Sequence, residues 1–308
     1  MKIGNMLVVL GAALVASTAL AQTKITLGYT TTAEVTAAFV AKEEGYFKKR
    51  GLDVDLKLMT LNSTMPPALQ SDSIQIGTAT PTVLLQAVDS GLDLVAIANG
   101  SVNDNQTKNP AILARAGSGI KTPQDLVGKK VGVPGLGAVL HVLTRRWLTD
   151  KGVDYKKVTF IETPFPQMSD LLKGGAVDAV ITADPIKSRI EQAATATVLA
   201  YPNQDFPNGF STLLYAATRD WANKNPAAVN AFHEALVEGI AFAERDPVKT
   251  RAHIGKYIKL PPPVLETLPI PKMMADLAPT RLRFWGESMR QQGMLKTDVN
   301  LSAVVVRQ

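Results

Sequence analysis

KTPQDLVGKKVGVPGLGAVLHVLTRRWLTDKGVDYKKVTFIETPFPQMSDLLKGGAVDAVITADP, residues 121–185, alternates short apolar runs with helical ones. A buried strand at 130–133 runs into the turn Pro134-Gly135-Leu136-Gly137 and then into a helix over about 138–151. Such a turn aims unpaired N–H groups and the positive end of a helix dipole at whatever sits above the strand end. A second strand and helix follow. Gly174-Gly175 closes that pair, a strand is expected at 177–182, and Asp184-Pro185 caps and opens another helix. Strands that alternate with helices predict a mostly parallel sheet covered on both faces, with a small-molecule site at one edge.

The same alternation extends outward on both sides. Strands are expected at 24–29, 53–58, 74–79 and 94–98, and helices at 35–44, 66–71 and 81–90. Residues 101–109 read as a polar loop without structure. Two extended runs, 110–115 (PAILAR) and 210–218 (FSTLLYAAT), flank the middle unit. They are expected to be paired crossover strands acting as a hinge. One lobe is then 22–115 plus 214–308 and the other 116–213. The tail reads as helices at 226–245, 247–257 and 278–292, broken by Pro261-Pro262-Pro263.

Lys2, an apolar run at 7–16 and the small residues ending at Ala21 have the form of a secretory signal peptide, residues 1–21, cleaved before Gln22. The run is too short to span a bilayer. Export to a periplasm is the expectation, and the chain has no cysteine to carry a lipid, a disulfide, a thiolate nucleophile or a thiolate metal ligand. The whole chain has a net charge of +6, which becomes +5 without Lys2. Its basic residues are scattered, which argues against nucleic acid and mildly for anionic ligands.

Four segments in order carry a resemblance: EEGYFKKRGLDVDL (43–56), IQIGTATPTVLLQAVDSGLDLVAIA (74–98), SGIKTPQDLVGKKVGVPG (118–135) and LLKGGAVDAVITADP (171–185). Together they resemble the SsuA/THI5-like, nitrate/sulfonate/taurine-type solute-binding proteins of bacterial ABC importers. The resemblance implies an α/β fold of the type II periplasmic binding protein class, two α/β lobes joined by two crossover strands, with ligand in the cleft. It also implies a small polar or anionic organic solute, such as an aromatic carboxylate, a sulfonate or a heterocycle, a membrane permease with its ATPase as partners, a monomer, and no cofactor.

In that architecture several residues are expected to meet ligand. Thr30, Thr31 and Thr32 follow the first strand. Thr80 and Pro81 form an N-cap and first helical residue after the strand at 74–79. Gly135, Leu136, Gly137 and Ala138 offer backbone N–H groups to an anion. This turn departs from the family pattern, because Leu136 and Gly137 supply no hydroxyl. That favours a larger or partly apolar ligand, such as an aromatic carboxylate or a heterocycle, over a small oxyanion. His141 lies one helical turn further on. Phe165 and Phe210 are placed to stack a ring. Asp184, if it faces the cleft, suits an amine or hydroxyl on the solute. Trp147 and Trp285 are assigned to the core.

No catalytic constellation is visible. GxSxG, GxxxxGK[ST] and HExxH are all absent, and none of the three histidines has metal-ligand spacing. The expectation is a binding protein and not an enzyme. The alternatives are a ligand-sensing module for a membrane receptor and, behind it, a periplasmic enzyme on the same fold.

Overall fold

The computed structural model describes residues 22–306. The expected signal peptide at 1–21 lies outside them. Among the described residues no helix is long and apolar enough to cross a membrane.

Among the described residues, ten strands form two five-stranded sheets. The first contains β1 (Thr23–Tyr29), β2 (Leu52–Leu58), β3 (Ile76–Ala79), β4 (Leu94–Val102) and β10 (Ser211–Thr218), in the order β2-β1-β3-β10-β4. The second contains β5 (Ala111–Arg115), β6 (Lys130–Val133), β7 (Thr159–Glu162), β8 (Ala179–Thr182) and β9 (Ala196–Ala200), in the order β7-β6-β8-β5-β9. β1 runs parallel to β2 and β3, and β6 runs parallel to β7 and β8. In each sheet one strand opposes the rest: β10 is antiparallel to β3 and β4, and β5 to β8 and β9. These are the strands through which the chain enters each sheet from the other. Hence the carboxyl ends of the parallel strands and the amino ends of β5 and β10 come together at one cleft.

This is the α/β fold of a type II periplasmic binding protein, with one correction to the expected hinge. β5 and β10 do not pair with each other; each is built into a different sheet. The crossing is made just ahead of them, by residues 103–110 and 201–210. Asn103 N–H donates to the Phe210 carbonyl (2.8 Å), and Gly209 N–H donates to the Asn103 carbonyl (3.0 Å). The Asn203 amide, fully buried, donates to the Asp104 and Thr107 carbonyls at 2.9 and 3.0 Å. The polar stretch at 101–109 is therefore not structureless. Ser101 and Val102 end β4, and the asparagines after them satisfy backbone groups that two closely packed crossing chains would otherwise leave bare.

The long tail helix (Pro226–Arg245) packs on the helix Thr36–Glu43 through Gly239. A Cβ there would stand 2.5 Å from the Ala37 carbonyl oxygen. Phe232 stacks on Phe47 with ring centroids 5.2 Å apart, locking the same face. The last helix is shorter than expected: a 3-10 turn at Pro279–Leu282 leads into Arg283–Gln291. The three-proline break opens a short helix at Pro262–Thr267. Past it the chain returns along β4, where Met274 N–H donates to the Gly100 carbonyl (3.1 Å) and Val102 N–H to the Lys272 carbonyl (3.1 Å). That return brings residues 269–272 to the cleft.

Candidate functional site

A cavity with about 970 Å³ of empty space, counting the part open to solvent, lies at the cleft. Both sheets build it. From the first come Thr30 and Thr32 after β1, Thr80 after β3, Val102 at the end of β4, and Phe210, Thr212 and Leu213 at the start of β10. From the second come Phe165 after β7, Ala183 and Asp184 after β8, and Asn109 and Pro110 ahead of β5. Val139, Leu140 and Leu143 of the helix Val139–Asp150 form an apolar wall, joined by the buried Trp285. The crossing segment adds Asn103, Asp104 and Thr107.

Asp184 is the most constrained polar group here, at 2% exposure. Its backbone carbonyl accepts the Ala33 N–H at 2.9 Å, and its own N–H donates to Asn109 Oδ1 at 2.9 Å, so it ties the two sheets together. Carboxylate Oδ1 accepts from the Ser188 N–H (3.1 Å) and hydroxyl (2.6 Å), which caps the helix Ile186–Gln192. The capping role expected from sequence is present, though Pro185 precedes the helix and does not open it. Oδ2 has no hydrogen-bond partner and lies 3.4 Å from Lys187 Nζ.

Thr80 holds the cap position ahead of the helix Pro81–Asp89, but its hydroxyl does not cap. It contacts the Thr82 hydroxyl at 3.3 Å and is available at the cavity wall. Thr30 Oγ1 donates to Asn62 Oδ1 (3.3 Å), and Thr32 Oγ1 accepts the Glu34 N–H (3.3 Å). Glu34 itself lines the cavity and accepts the Thr212 hydroxyl at 2.5 Å. Burial holds its carboxyl above the ordinary carboxylate range, partly offset by that hydrogen bond.

The glycine turn is a correction. Gly135, Leu136, Gly137 and Ala138 do not line the cavity, and three of their N–H groups are already taken. Leu136 N–H donates to Glu162 Oε1 (2.8 Å), Gly137 N–H to His141 Nδ1 (2.9 Å) and Ala138 N–H to the Gly135 carbonyl (3.1 Å). His141 thus holds the turn ahead of its helix and does not line the wall. Its ring sits edge-on to Phe160, and burial, with the nearby Arg145 charge, lowers its pKa to about 4. A neutral ring with a lone pair on Nδ1 is what the bond from Gly137 requires. Thr31 is buried but off the wall, as is Pro81.

Of the expected site residues, the fold brings Thr30, Thr32, Thr80, Phe165, Asp184 and Phe210 to one cavity. Sequence reasoning passed over Glu34, Asn62, Asn103, Asp104, Asn109, Thr212, residues 269–272 and the cavity face of Trp285. The run of asparagines in 103–109 was the one available signal. No cluster of three metal-ligating side chains occurs among the described residues.

A family model described as "NMT1/THI5 like" matches residues 32–250, well over half the chain. The chain belongs to the NMT1/THI5-like family. This NMT1/THI5-like chain is similar to a Brucella abortus (strain 2308) protein named as a candidate binding protein, 26% identical over 229 residues, spanning 74% of this chain and 69% of that one. Among solved structures it resembles the alkanesulfonate-binding protein SsuA from Xanthomonas axonopodis pv. citri bound to MOPS. The TM-score is 0.80 at 22% identity, over 92% of this chain and 98% of the other. It also resembles a ligand-binding component of an ABC-type import system from Staphylococcus aureus, with TM-score 0.79 at 13% identity over 92% and 97% of the two chains. At these identities the structures establish the shared fold.

Proposed function

We propose that this chain is the exported solute receptor of an ABC importer. It takes one small organic solute between its lobes, closes on it, and hands it to a membrane permease without changing it. One observation carries the reading: a cavity at the meeting strand ends of two sheets, bridged by contacts that need the lobes to be close. The Ala33 N–H to Asp184 carbonyl bond and the Ser63 Oγ to Glu162 Oε1 bond (3.0 Å) both cross the cleft. A ligand binding there is rewarded only in the closed form, so its binding energy is coupled to closure. The receptor's partners are then a membrane permease and that permease's ATPase, and its place the periplasm; the likeness to a ligand-binding component of an ABC-type import system and to a periplasmic sulphonate-binding protein supports this. The receptor acts as a monomer, with the crossing segments 103–110 and 201–210 serving as the hinge region.

Native mass spectrometry of the chain from Gln22, followed by a thermal-shift screen of sulfonates, aromatic carboxylates, amines and heterocycles, tests the reading. A true ligand at 100 times its Kd stabilises the fold by about 2.7 kcal/mol, a clear shift in melting temperature. A sharp hit recovered chemically unchanged is the expected result. Conversion of the hit into a product would replace the receptor with an enzyme.

A further inference from the structure

Resting on the reading of the cavity as a solute site, we propose that its solute is a small organic cation, an amine or amidine with an apolar body. The charge on the cavity wall is opposite to that of the chain. The protein as a whole is basic, at +6, yet the wall carries three carboxyl groups, Glu34, Asp104 and Asp184, against one ammonium, Lys272. Among the described residues no arginine or histidine lines it. Lys272 is exposed, so water screens it, whereas Asp184 is buried. Lys187 lies behind the wall and does not reverse the sign. Its ammonium donates to the Lys108 carbonyl (3.0 Å) and is divided between Asp184 Oδ2 (3.4 Å) and Glu191 Oε2 (3.6 Å). Counting Glu191 and Lys187 with the wall still leaves a negative balance.

Side chains take part of the donor capacity beside the cavity: His141 takes the Gly137 N–H, Asp184 the Ser188 N–H and Thr32 the Glu34 N–H. The helices Pro81–Asp89 and Val139–Asp150 start without a side-chain cap. The wall also keeps acceptor capacity open. Asp184 Oδ2 is buried without a hydrogen-bond partner, and no ion pair reaches Glu34 among the described residues. The raised pKa of Glu34 is the mark of a desolvated carboxyl without a cation. A buried carboxylate oxygen with an ion pair but no hydrogen bond is under-satisfied, and an ammonium or amidinium would supply charge-assisted hydrogen bonds. Leu140, Leu143, Phe165 and Phe210 offer an apolar surface for the body of such a molecule.

Isothermal titration calorimetry at pH 7.5 with two size-matched sets tests this. Benzylamine, phenethylamine and benzamidine form the cationic set; benzoate, phenylacetate and benzenesulfonate form the anionic one. Binding confined to the cationic set is expected. Glu34→Gln and Asp184→Asn should each weaken the best cation by about thirtyfold or more, as for loss of one partner of a buried charge pair. Glu34→Gln keeps the acceptor used by Thr212, so its melting temperature should match the wild type and guards against a folding artefact. A tightest binder from the anionic set, an anionic solute carried through purification, silence of the cationic set, or an affinity unmoved by Glu34→Gln overturns the inference. The receptor reading survives each of these while any solute binds. It falls if neither set binds and no solute is carried.

Discussion

His141 illustrates how one side chain can be misread from sequence and still matter. A histidine one turn into a helix that follows a glycine turn suggests a ligand contact. In the fold its Nδ1 accepts the Gly137 N–H instead, which fixes the ring as neutral. Burial brings its pKa from 6.5 down to about 4. As pH falls, the unfolded chain takes up this proton first, so the stabilisation is complete above pH 6.5 and is lost progressively toward pH 4. The full loss is on the order of 3 kcal/mol. Urea unfolding of wild type and His141→Gln at pH 7 and pH 4.5 should show that increment in the wild type alone. An equal pH dependence in both would place the titration elsewhere. The two carboxylate oxygens of Asp184 face different neighbours: Oδ1 accepts the Ser188 N–H and hydroxyl, and Oδ2 lies beside Lys187 without a hydrogen bond.

At the scale of elements, two joints set the geometry of the cleft. Gly239 lets the helix Pro226–Arg245 lie directly on the backbone of Thr36–Glu43, since any Cβ would meet the Ala37 carbonyl oxygen at 2.5 Å. Gly239→Ala should therefore destabilise the chain by about 1–3 kcal/mol through overpacking, against the gain that alanine normally brings inside a helix. A melting temperature at or above wild type would refute that close contact. The second joint is the crossing itself. Asn203 donates to two carbonyls of the opposite segment from a fully buried position. Asn203→Ala strips both acceptors and should cost about 2–3 kcal/mol. Hydrogen exchange should speed up across residues 103–110 before the sheets are affected; uniform exchange would mean the crossing is not a separate unit.

For the whole molecule the relevant quantity is the balance between open and closed lobes. Several polar contacts join the lobes, among them Arg146 to Gln291 and Gln292 to the Val142 carbonyl, and Ser63 to Glu162 is the side-chain pair at the cleft. Removing it with Ser63→Ala takes away about 0.5–1.5 kcal/mol from the closed form only. Ligand affinity should fall by about two- to tenfold, because a smaller fraction of the protein is competent to bind tightly. Small-angle scattering should show a larger radius for the unliganded variant than for the wild type, converging when ligand is saturating. Identical curves in both states would mean that the lobes do not hinge. Glu162 also accepts the Leu136 N–H. The glycine turn, read from sequence as an anion cradle, is thus part of the lobe contact.

Local chemistry wrote much of this protein plainly. Alternating apolar periods gave the order of strands and helices, and Lys130–Val133 was placed to the residue. Proline and the residues before it marked helix starts at Pro81, Pro226 and Pro247, and Thr122 with Asp125 forms a capping box. Those features depend on neighbours a few positions apart, so the sequence alone determines them. The positions after β1, β3 and β8 were legible for the same reason, since ligand sites follow the carboxyl ends of parallel strands. Tertiary structure decided what depends on partners far along the chain. β10 lies antiparallel between β3 and β4 instead of pairing with β5, and the tail returns along β4 to set residues 269–272 at the cavity. It also decided which donors remain unused. His141 and Glu162 take the N–H groups of the glycine turn, while Glu34 and Asp184 are left facing the cavity from opposite lobes. Periodicity reports which face of an element is buried, but not which distant group it is buried against. The charge of a site is a sum over such distant groups.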